Sequence, residues 1–189
     1  MVTIRHEALR DVDARERLLD RVWGTSRFAK TAERLREDRL PADGLSLVAA
    51  EGRNIVGTVR LWQVSAGPER PALLLGPLAV DEAWRDCGIG TALMRRALAT
   101  AGRRGHRAVL LVGDAAYYER FGFSAEKTGA LWLPGPFERH RLLGCELKSG
   151  ALDGAHGLVA ATGREVPAPS LEVLIAALIR DGRSARKVA

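Results

Sequence analysis

The sequence is poor in cysteine and in aromatic residues, and it contains no long apolar run. Its 189 residues include 2 cysteines, and aromatic side chains make up 5% of the chain. Two cysteines are too few for a disulfide framework or a cysteine-based metal cluster, so we expect a reduced, cytoplasmic protein with no bound metal. No apolar stretch approaches the ~18 residues of a membrane-spanning helix, and the first residues do not resemble a signal peptide.

The chain is also short of acidic residues relative to basic ones, and the excess positive charge comes from arginine. The formal net charge is +6 and the pI is near 10.0. An acidic partner is compatible with this charge. However, neither an interleaving of basic and aromatic residues nor a known nucleic-acid module accompanies it. We therefore expect no nucleic acid among the partners of this chain.

Apolar residues recur with the period of strands and helices along most of the chain. The pattern predicts strands at 2–6, 45–51, 54–64, 73–80, 110–112, 123–127 and 141–148 and helices at 11–23, 29–40, 90–103 and 115–120. Asp11 or Asp13 is expected to cap the first helix, and Gly76-Pro77 predicts a bulge in the fourth strand. This order predicts an α/β fold, with a mixed, mostly antiparallel sheet and helices on both faces.

The regular alternation of elements ends near Lys148. We therefore predict one domain at 1–148 and a C-terminal extension at 149–189, which holds one apolar helix at about 170–181 and a basic tail. That helix is apolar on nearly every side, so it needs a surface to cover it. It either packs against the domain or joins two copies of the chain in a homodimer, and the sequence leaves both open.

The stretch at 85–90 joins the fourth strand to the third predicted helix and reads Arg-Asp-Cys-Gly-Ile-Gly. A strand, a glycine-bearing turn and a helix in this order bind anions, because the helix N-terminus has unpaired N–H groups and a partial positive charge. Gly88 and Gly90 let the backbone approach a phosphate. The stretch lacks the lysine of a P-loop, and it lacks the third glycine and the later acidic residue of a dinucleotide fingerprint. It therefore matches neither of these two phosphate-binding motifs.

A second motif follows the strand at 110–112. It reads Gly-Asp-Ala-Ala-Tyr-Tyr-Glu-Arg-Phe-Gly-Phe over 113–123 and ends with the spacing Tyr-x-x-x-Gly-Phe. The Arg-x-x-Gly-x-Gly loop and this motif, in this order and with a helix–strand unit between them, resemble the GNAT superfamily of N-acetyltransferases over roughly 4–148. The second motif is most similar to a bacterial subgroup of predicted N-acetyltransferases. The resemblance implies a GNAT-type (acyl-CoA N-acyltransferase) fold.

The resemblance also implies a binding site for acetyl-CoA as co-substrate. In the family, the strand that follows the bulge lends its backbone to the pantetheine like an added strand. The strand residues implied here are Leu78, Ala79 and Val80. The loop and the first helical turn bind the pyrophosphate. The residues implied there are Arg85, Asp86, Cys87, Gly88, Ile89, Gly90 and Thr91.

Acetyl transfer to an amine needs a neutral amine, a stabilised oxygen anion and a proton for the leaving sulfur. Tyr118 occupies the position of the family's proton donor to the sulfur, and its neighbour Tyr117 is expected to pack or to line the acceptor pocket. A backbone N–H near Ala79 or Val80 is the expected donor to the oxygen. Tyr118 is therefore the catalytic residue that the resemblance implies.

Two departures from the family pattern leave parts of the site unassigned. Leu111 stands where the family often has an asparagine against the pantetheine, and 73–75 are leucines where many members have a glutamate as general base. Glu51, Asp114 and His140 remain alternatives for the base, and the amine could also bind already neutral.

The sequence thus predicts an acyltransferase that moves the acetyl group from acetyl-CoA to a primary amine by direct attack in a ternary complex. The missing glutamate keeps a second function open, a non-catalytic acyl-CoA-binding module that senses the ligand or docks a protein. Trp62, Trp132 and Phe137 suggest an aromatic wall near the mouth of the site. Nothing in the sequence identifies the acceptor, which is a small molecule or a peptide.

Overall fold

Strands and helices alternate along residues 1–167, the part of the chain that this computed structural model describes. The strands are β1 Val2–His6, β2 Ser46–Glu51, β3 Asn54–Ala66, β4 Pro71–Val80, β5 Ala108–Val112, β6 Leu131–Trp132, β7 Leu142–Glu146 and β8 Gly157–Ala161. The α-helices are α1 Val12–Trp23, α2 Ile89–Arg103 and α3 Ala115–Tyr118. Among these described helices, none has the length and hydropathy needed to cross a membrane.

The strands form one sheet in the order β1-β2-β3-β4-β5-β7. In addition, β8 pairs with β3, and β6 pairs with β8. Neighbouring strands run antiparallel except β4 with β5 and β6 with β8. β3 is long enough to pair with β2 through its first half and with β8 at its end. The predicted α/β fold with a mixed, mostly antiparallel sheet is therefore confirmed.

Alternation of apolar residues along the strands gives the sheet two buried faces. On β2, Leu47 and Ala49 pack with α2 on one face, whereas Val48 and Ala50 pack with α1 on the other. The described helices thus cover both sides of the sheet, as the sequence pattern indicated.

The predicted bulge in β4 is present and positions the site described below. Its register against β3 pairs Leu75 with Leu61 and then Leu78 with Val59, so the intervening Gly76-Pro77 dipeptide has no regular partner. Proline has no N–H to donate to a neighbouring strand, so it is tolerated at this position, where no such hydrogen bond is made.

Two predicted elements are wrong. The helix expected at 29–40 is replaced by two short 3₁₀ segments, Thr25–Ala29 and Thr31–Leu35. The strand expected at 123–127 is reduced to a single bridge between Ser124 and Gly144. In both stretches long-range packing outweighed the local preference, because side chains such as Leu35 and Phe123 are buried in the core although their backbone is not in the predicted element.

The segment that follows Lys148 takes part in the sheet. β8 pairs with β3, and Leu152, Ala155 and Val159 are buried in the same core cluster as β4 and β5 residues. The division of the chain at residue 148 stays a prediction. The apolar helix at 170–181, the basic tail and the homodimer hypothesis lie outside the described residues.

Asp11 anchors the start of α1 in a way that the cap prediction missed. Its carboxylate does not cap α1 but accepts hydrogen bonds from the Arg5 guanidinium at 2.5 and 2.8 Å and from the Ala8 N–H at 2.8 Å. The Arg5 guanidinium is the main reason that the pKa of this buried carboxyl falls from 3.8 to about 2. The carboxylate therefore joins β1 to the helix only in its charged form.

We expect Asp11→Asn to lower the free energy of unfolding by about 1–3 kcal/mol, because a buried charged hydrogen-bond pair is lost. A carboxyl with a depressed native pKa stabilises fully above its unfolded pKa of 3.8, and this contribution disappears as the pH falls toward 2. Urea unfolding at several pH values measures both effects. Asp13→Asn, at an exposed neighbouring position, is the control and should stay within about 0.5 kcal/mol of the wild type.

Candidate active site

The sheet opens between β4 and β5. These parallel strands pair only where Leu73 meets Val109 and Leu74 meets Leu110. Beyond this point β5 continues beside β7, and within residues 1–167 no strand pairs with the exposed edge of β4. The divergence leaves a cleft with a free backbone edge on one wall.

The hydrogen-bond alternation of an antiparallel pair shows which β4 groups face that cleft. The Asp81 N–H donates to the Val56 carbonyl at 2.9 Å, and the register then places Ala79 in the next hydrogen-bonded pair. Leu78 and Val80 therefore direct their N–H and C=O groups away from β3, toward the cleft. Ala79 differs from them, because its backbone faces Thr58 of β3 and its side chain is buried.

The loop that leads out of β4 ends at an uncapped helix N-terminus. Gly88 is the N-cap of α2 with φ +76°, a left-handed conformation that favours glycine, and no side chain caps the helix. The first helical bond runs from the Ala92 N–H to the Gly88 carbonyl at 2.9 Å. The N–H groups of Ile89, Gly90 and Thr91 precede that bond, so they are available to an anion.

The side chains before Gly88 are exposed, and the start of the loop is anchored. Arg85, Asp86 and Cys87 all face solvent. The Asp81 carboxylate accepts from Arg21 of α1 at 2.8 Å and from the Ala83 N–H at 3.2 Å. The Arg21 hydrogen bond is also the main cause of the lowered pKa of Asp81. The loop is therefore fixed to α1 at one end and free to meet a ligand at the other.

The two adjacent tyrosines, Tyr117 and Tyr118, lie against different parts of the cleft. A Cβ built on Gly90 would be 2.8 Å from the Tyr117 hydroxyl, so this side chain reaches the predicted phosphate loop. The expected role of Tyr117 is to pack or to line the acceptor pocket, and the structure packs it against the start of α2. The Arg120 guanidinium lies 4.1 Å from the centroid of the Tyr117 ring and covers it.

The Tyr118 ring lies on Gly113, where a Cβ would collide with it, and packs against the same core cluster as Leu78 and Val80. Burial raises the pKa of Tyr118 to about 12, and the charge of Arg141 acts in the opposite direction. The phenol is therefore protonated, and no hydrogen bond within the described residues holds its hydroxyl.

The three alternatives for a general base are engaged elsewhere. Asp114 caps α3 by accepting from the Ala116 N–H at 3.1 Å. Glu51 lies 3.5 Å from the chain's N-terminal amine, and the exposed His140 lies 3.4 Å from Glu138. Leu111, at the position of the family's asparagine, is buried in the core. None of these residues is placed by its contacts as the base.

The residues expected to form an aromatic wall lie in different surroundings, and the bulge of β4 is faced by one residue that the sequence did not single out, Arg36. The Trp62 indole donates to the Gly76 carbonyl at 2.6 Å, so this tryptophan is a buried support and not part of an exposed wall. Trp132 is exposed, and its ring packs edge-on against Phe137. The buried Arg36 faces Gly76 from the 3₁₀ region.

A free strand edge that leads to an anion-binding helix N-terminus defines the architecture of acyl-CoA-dependent acyltransferases. The family model described as an acetyltransferase (GNAT) domain matches residues 42–125. The uncharacterized N-acetyltransferase YhbS of Escherichia coli K12 is 34% identical over 163 residues, which cover 82% of this chain and 93% of YhbS. The chain belongs to the GNAT family of N-acetyltransferases, and the resemblance seen in its motifs is confirmed.

Solved structures agree with this assignment. Escherichia coli YhbS, crystallised in complex with CoA, is similar with a TM-score of 0.73 and 31% identity, covering 85% of this chain and 89% of that one. A GNAT family acetyltransferase from Brucella melitensis, in complex with acetyl-CoA, is similar with a TM-score of 0.57 and 28% identity. The match covers 81% of this chain and 99% of that one.

Proposed function

We propose that this protein transfers the acetyl group of acetyl-CoA to a primary amine by direct attack within a ternary complex. The observation that carries the proposal is the continuous path of free backbone groups from Leu78 and Val80 to the first turn of α2. Acetyl-CoA supplies an activated acyl group as a thioester. Two free cysteines support the proposed reducing, cytoplasmic setting.

The binding residues divide into two groups in this proposal. The N–H groups of Ile89, Gly90 and Thr91 hold the pyrophosphate, and the Tyr117 hydroxyl lies close enough to Gly90 to contact the same ligand. Leu78 and Val80 pair with the pantetheine through their backbone, like one strand with another. The fit is supported by the lack of any side-chain cap on α2 within the described structure.

The chemical step places Tyr118 at the sulfur. The amine nitrogen forms a bond to the carbonyl carbon, the carbon–sulfur bond breaks, and the Tyr118 hydroxyl donates a hydrogen bond and then its proton to the sulfur. A backbone N–H on the free edge, that of Leu78 or Val80, stabilises the negative charge on the oxygen. The amine nitrogen loses a proton to solvent, and solvent returns a proton to the Tyr118 phenolate. No side chain is assigned as the base.

Thermal unfolding with and without acetyl-CoA tests the binding part of the proposal, with NADH and ATP as controls. A ligand at ~100-fold excess over its Kd adds about 2.7 kcal/mol of stability. For a protein of this size the expected rise in Tm is roughly 5–10 °C. A rise with acetyl-CoA alone supports the proposal, and an unchanged Tm in a folded protein contradicts it.

Release of free thiol on addition of amines tests the chemical part. Acceptor-dependent thiol release supports an enzyme. A rise in Tm without thiol release from any amine favours the second candidate, a non-catalytic acyl-CoA-binding module. That candidate is supported by the engagement of Glu51, Asp114 and His140 with other groups.

A further inference from the structure

A guanidinium with an unsatisfied nitrogen faces the bulge at the far end of the cleft. Arg36 is 9% exposed, and within the described residues its Nη1 is buried without a hydrogen-bond partner. Its other nitrogens are used, since Nη2 lies 3.0 Å from Glu33 and Nε donates to the Ala32 carbonyl at 3.2 Å. A buried donor without an acceptor is costly and calls for an explanation, and a bound anion is one that the chemistry of a guanidinium supports.

The space in front of this nitrogen is left by a glycine. A Cβ built on Gly76 would lie 3.8 Å from Arg36 Nη1, and no other atom comes within 4 Å of that position. Gly76 has φ +134°, which other residues rarely adopt, so the sequence keeps this position free of a side chain. Gly76 also precedes Leu78 on the free edge of β4, by roughly 7 Å at the ordinary rise of a strand. Arg36 therefore lies at the end of the cleft farthest from the phosphate loop.

Two further cations border the same region. Burial lowers the pKa of Lys30, and the positive charges of Arg141 and then Arg36 lower it further. The Lys30 ammonium itself lies over the Trp23 ring of α1, 4.1 Å from the ring centroid. Arg141 also reaches the catalytic side, since its Nε approaches the Gly113 carbonyl at 3.5 Å beneath the Tyr118 ring.

The carboxylates that face these cations leave the Arg36 nitrogen free. Glu33 contacts Arg36 at Nη2, and the exposed Glu138 lies 3.8 Å from Arg141. Lys30 is in no ion pair within the described residues, so its charge and the Arg36 Nη1 donor remain available to an anion. A guanidinium nitrogen that is buried and unpaired favours an anionic group over a neutral one.

We infer that the acceptor is a small amine that carries a carboxylate, as amino acids and dipeptides do, and that Arg36 Nη1 binds the carboxylate while the amine faces the thioester. This inference rests on the proposed function and specifies its substrate class. Lys30 and Arg141 contribute attraction at the mouth, whereas Arg36 provides the direct contact.

The test compares matched acceptors in the thiol-release assay with saturating acetyl-CoA. A panel of amino acids and dipeptides is measured against their C-terminal amides and the amines that lack the carboxyl group. We expect kcat/KM to be about 10–100-fold higher for acids than for their amides, because a site built around a charged hydrogen bond rejects the analogue without it. Equal rates for acids and amides, or turnover of uncharged amines alone, would overturn the inference.

Variants connect the preference to Arg36. Arg36→Gln should raise KM for the acids and remove the preference, with the rate for the amides and the acetyl-CoA-induced rise in Tm retained. Arg107→Gln removes an exposed charge at the opposite end of β5 and should keep the preference. An equal loss for acids and amides in Arg36→Gln would show a purely structural role and reject the assignment.

Two further measurements cover a variant that does not fold and separate failure of the inference from failure of the proposed function. If Arg36→Gln does not fold, Arg36→Lys retains the charge but loses the planar fork, and an equal loss for acids and amides in this variant would contradict direct binding. If the wild-type protein shows the rise in Tm but acetylates no carboxylate-bearing amine, the substrate class is wrong while acetyl-CoA binding stands. Absence of the rise itself rejects the proposed function.

Discussion

Gly88→Val should weaken acetyl-CoA binding by about 100-fold or more, which corresponds to about 2.7 kcal/mol. Valine is β-branched and is strained at the left-handed φ of +76° that the N-cap of α2 requires. Its side chain would also stand beside the N–H groups of the first turn. Calorimetric titration with acetyl-CoA measures the loss directly, and the ligand-induced rise in Tm should disappear.

A matched control separates backbone strain from ligand binding. Gly105 follows the other end of α2 with φ +83°, and like Gly88 it has no atom within 4 Å of a built Cβ. Gly105→Val should therefore lower the Tm of the free protein about as much as Gly88→Val, with acetyl-CoA affinity unchanged. Equal affinities in the two variants would mean that the N-terminus of α2 does not bind the ligand.

Tyr118→Phe should lower kcat by about 10²–10⁴-fold, the usual contribution of a positioned acid, with little change in acetyl-CoA affinity. The phenyl ring keeps the packing on Gly113 and loses only the hydroxyl, which has no partner within the described residues. Because burial raises the pKa of Tyr118 to about 12, its protonated form dominates at every lower pH. The kcat profile should therefore show no decline from loss of this proton below about pH 10.

Tyr117→Phe provides the comparison for this assignment. Its hydroxyl lies at Gly90, so its loss should raise the KM for acetyl-CoA more than it lowers kcat. Unchanged kcat in Tyr118→Phe together with a large loss in Tyr117→Phe would show that the two roles are reversed. Steady-state kinetics with acetyl-CoA as the varied substrate distinguishes these results.

Local patterns predicted much of the fold correctly. β1, β2, β3, β4 and the helices α1 and α2 lie within a few residues of their expected positions, because each has a clear period of apolar residues and most have a glycine or proline near an end. The two wrong predictions are stretches in which this period is weak. The segment at 29–40 is charged and short of apolar spacing, and its conformation follows from packing against residues 134–136, more than 90 positions later.

Local sequence was enough to identify the family and to predict the phosphate loop, since both depend on residues that are close together in the chain. The spacing of Gly88 and Gly90 at the start of α2 is a local property, and so is the Tyr-x-x-x-Gly-Phe motif. Tertiary structure alone decided which groups face the cleft. Ala79 turns toward β3 because strand pairing sets its direction, and Tyr117 meets Gly90 because two distant segments pack together.

Arg36 is the clearest example of a residue whose surroundings the sequence did not predict. In the sequence it is one arginine in a charged segment, with no signal that separates it from the solvent-exposed arginines around it. Only the packing of that segment over the bulge of β4 buries its guanidinium and directs Nη1 at the space beside Gly76. Burial and the loss of hydrogen-bond partners arise from contacts between residues far apart in the chain, and local sequence patterns do not contain them.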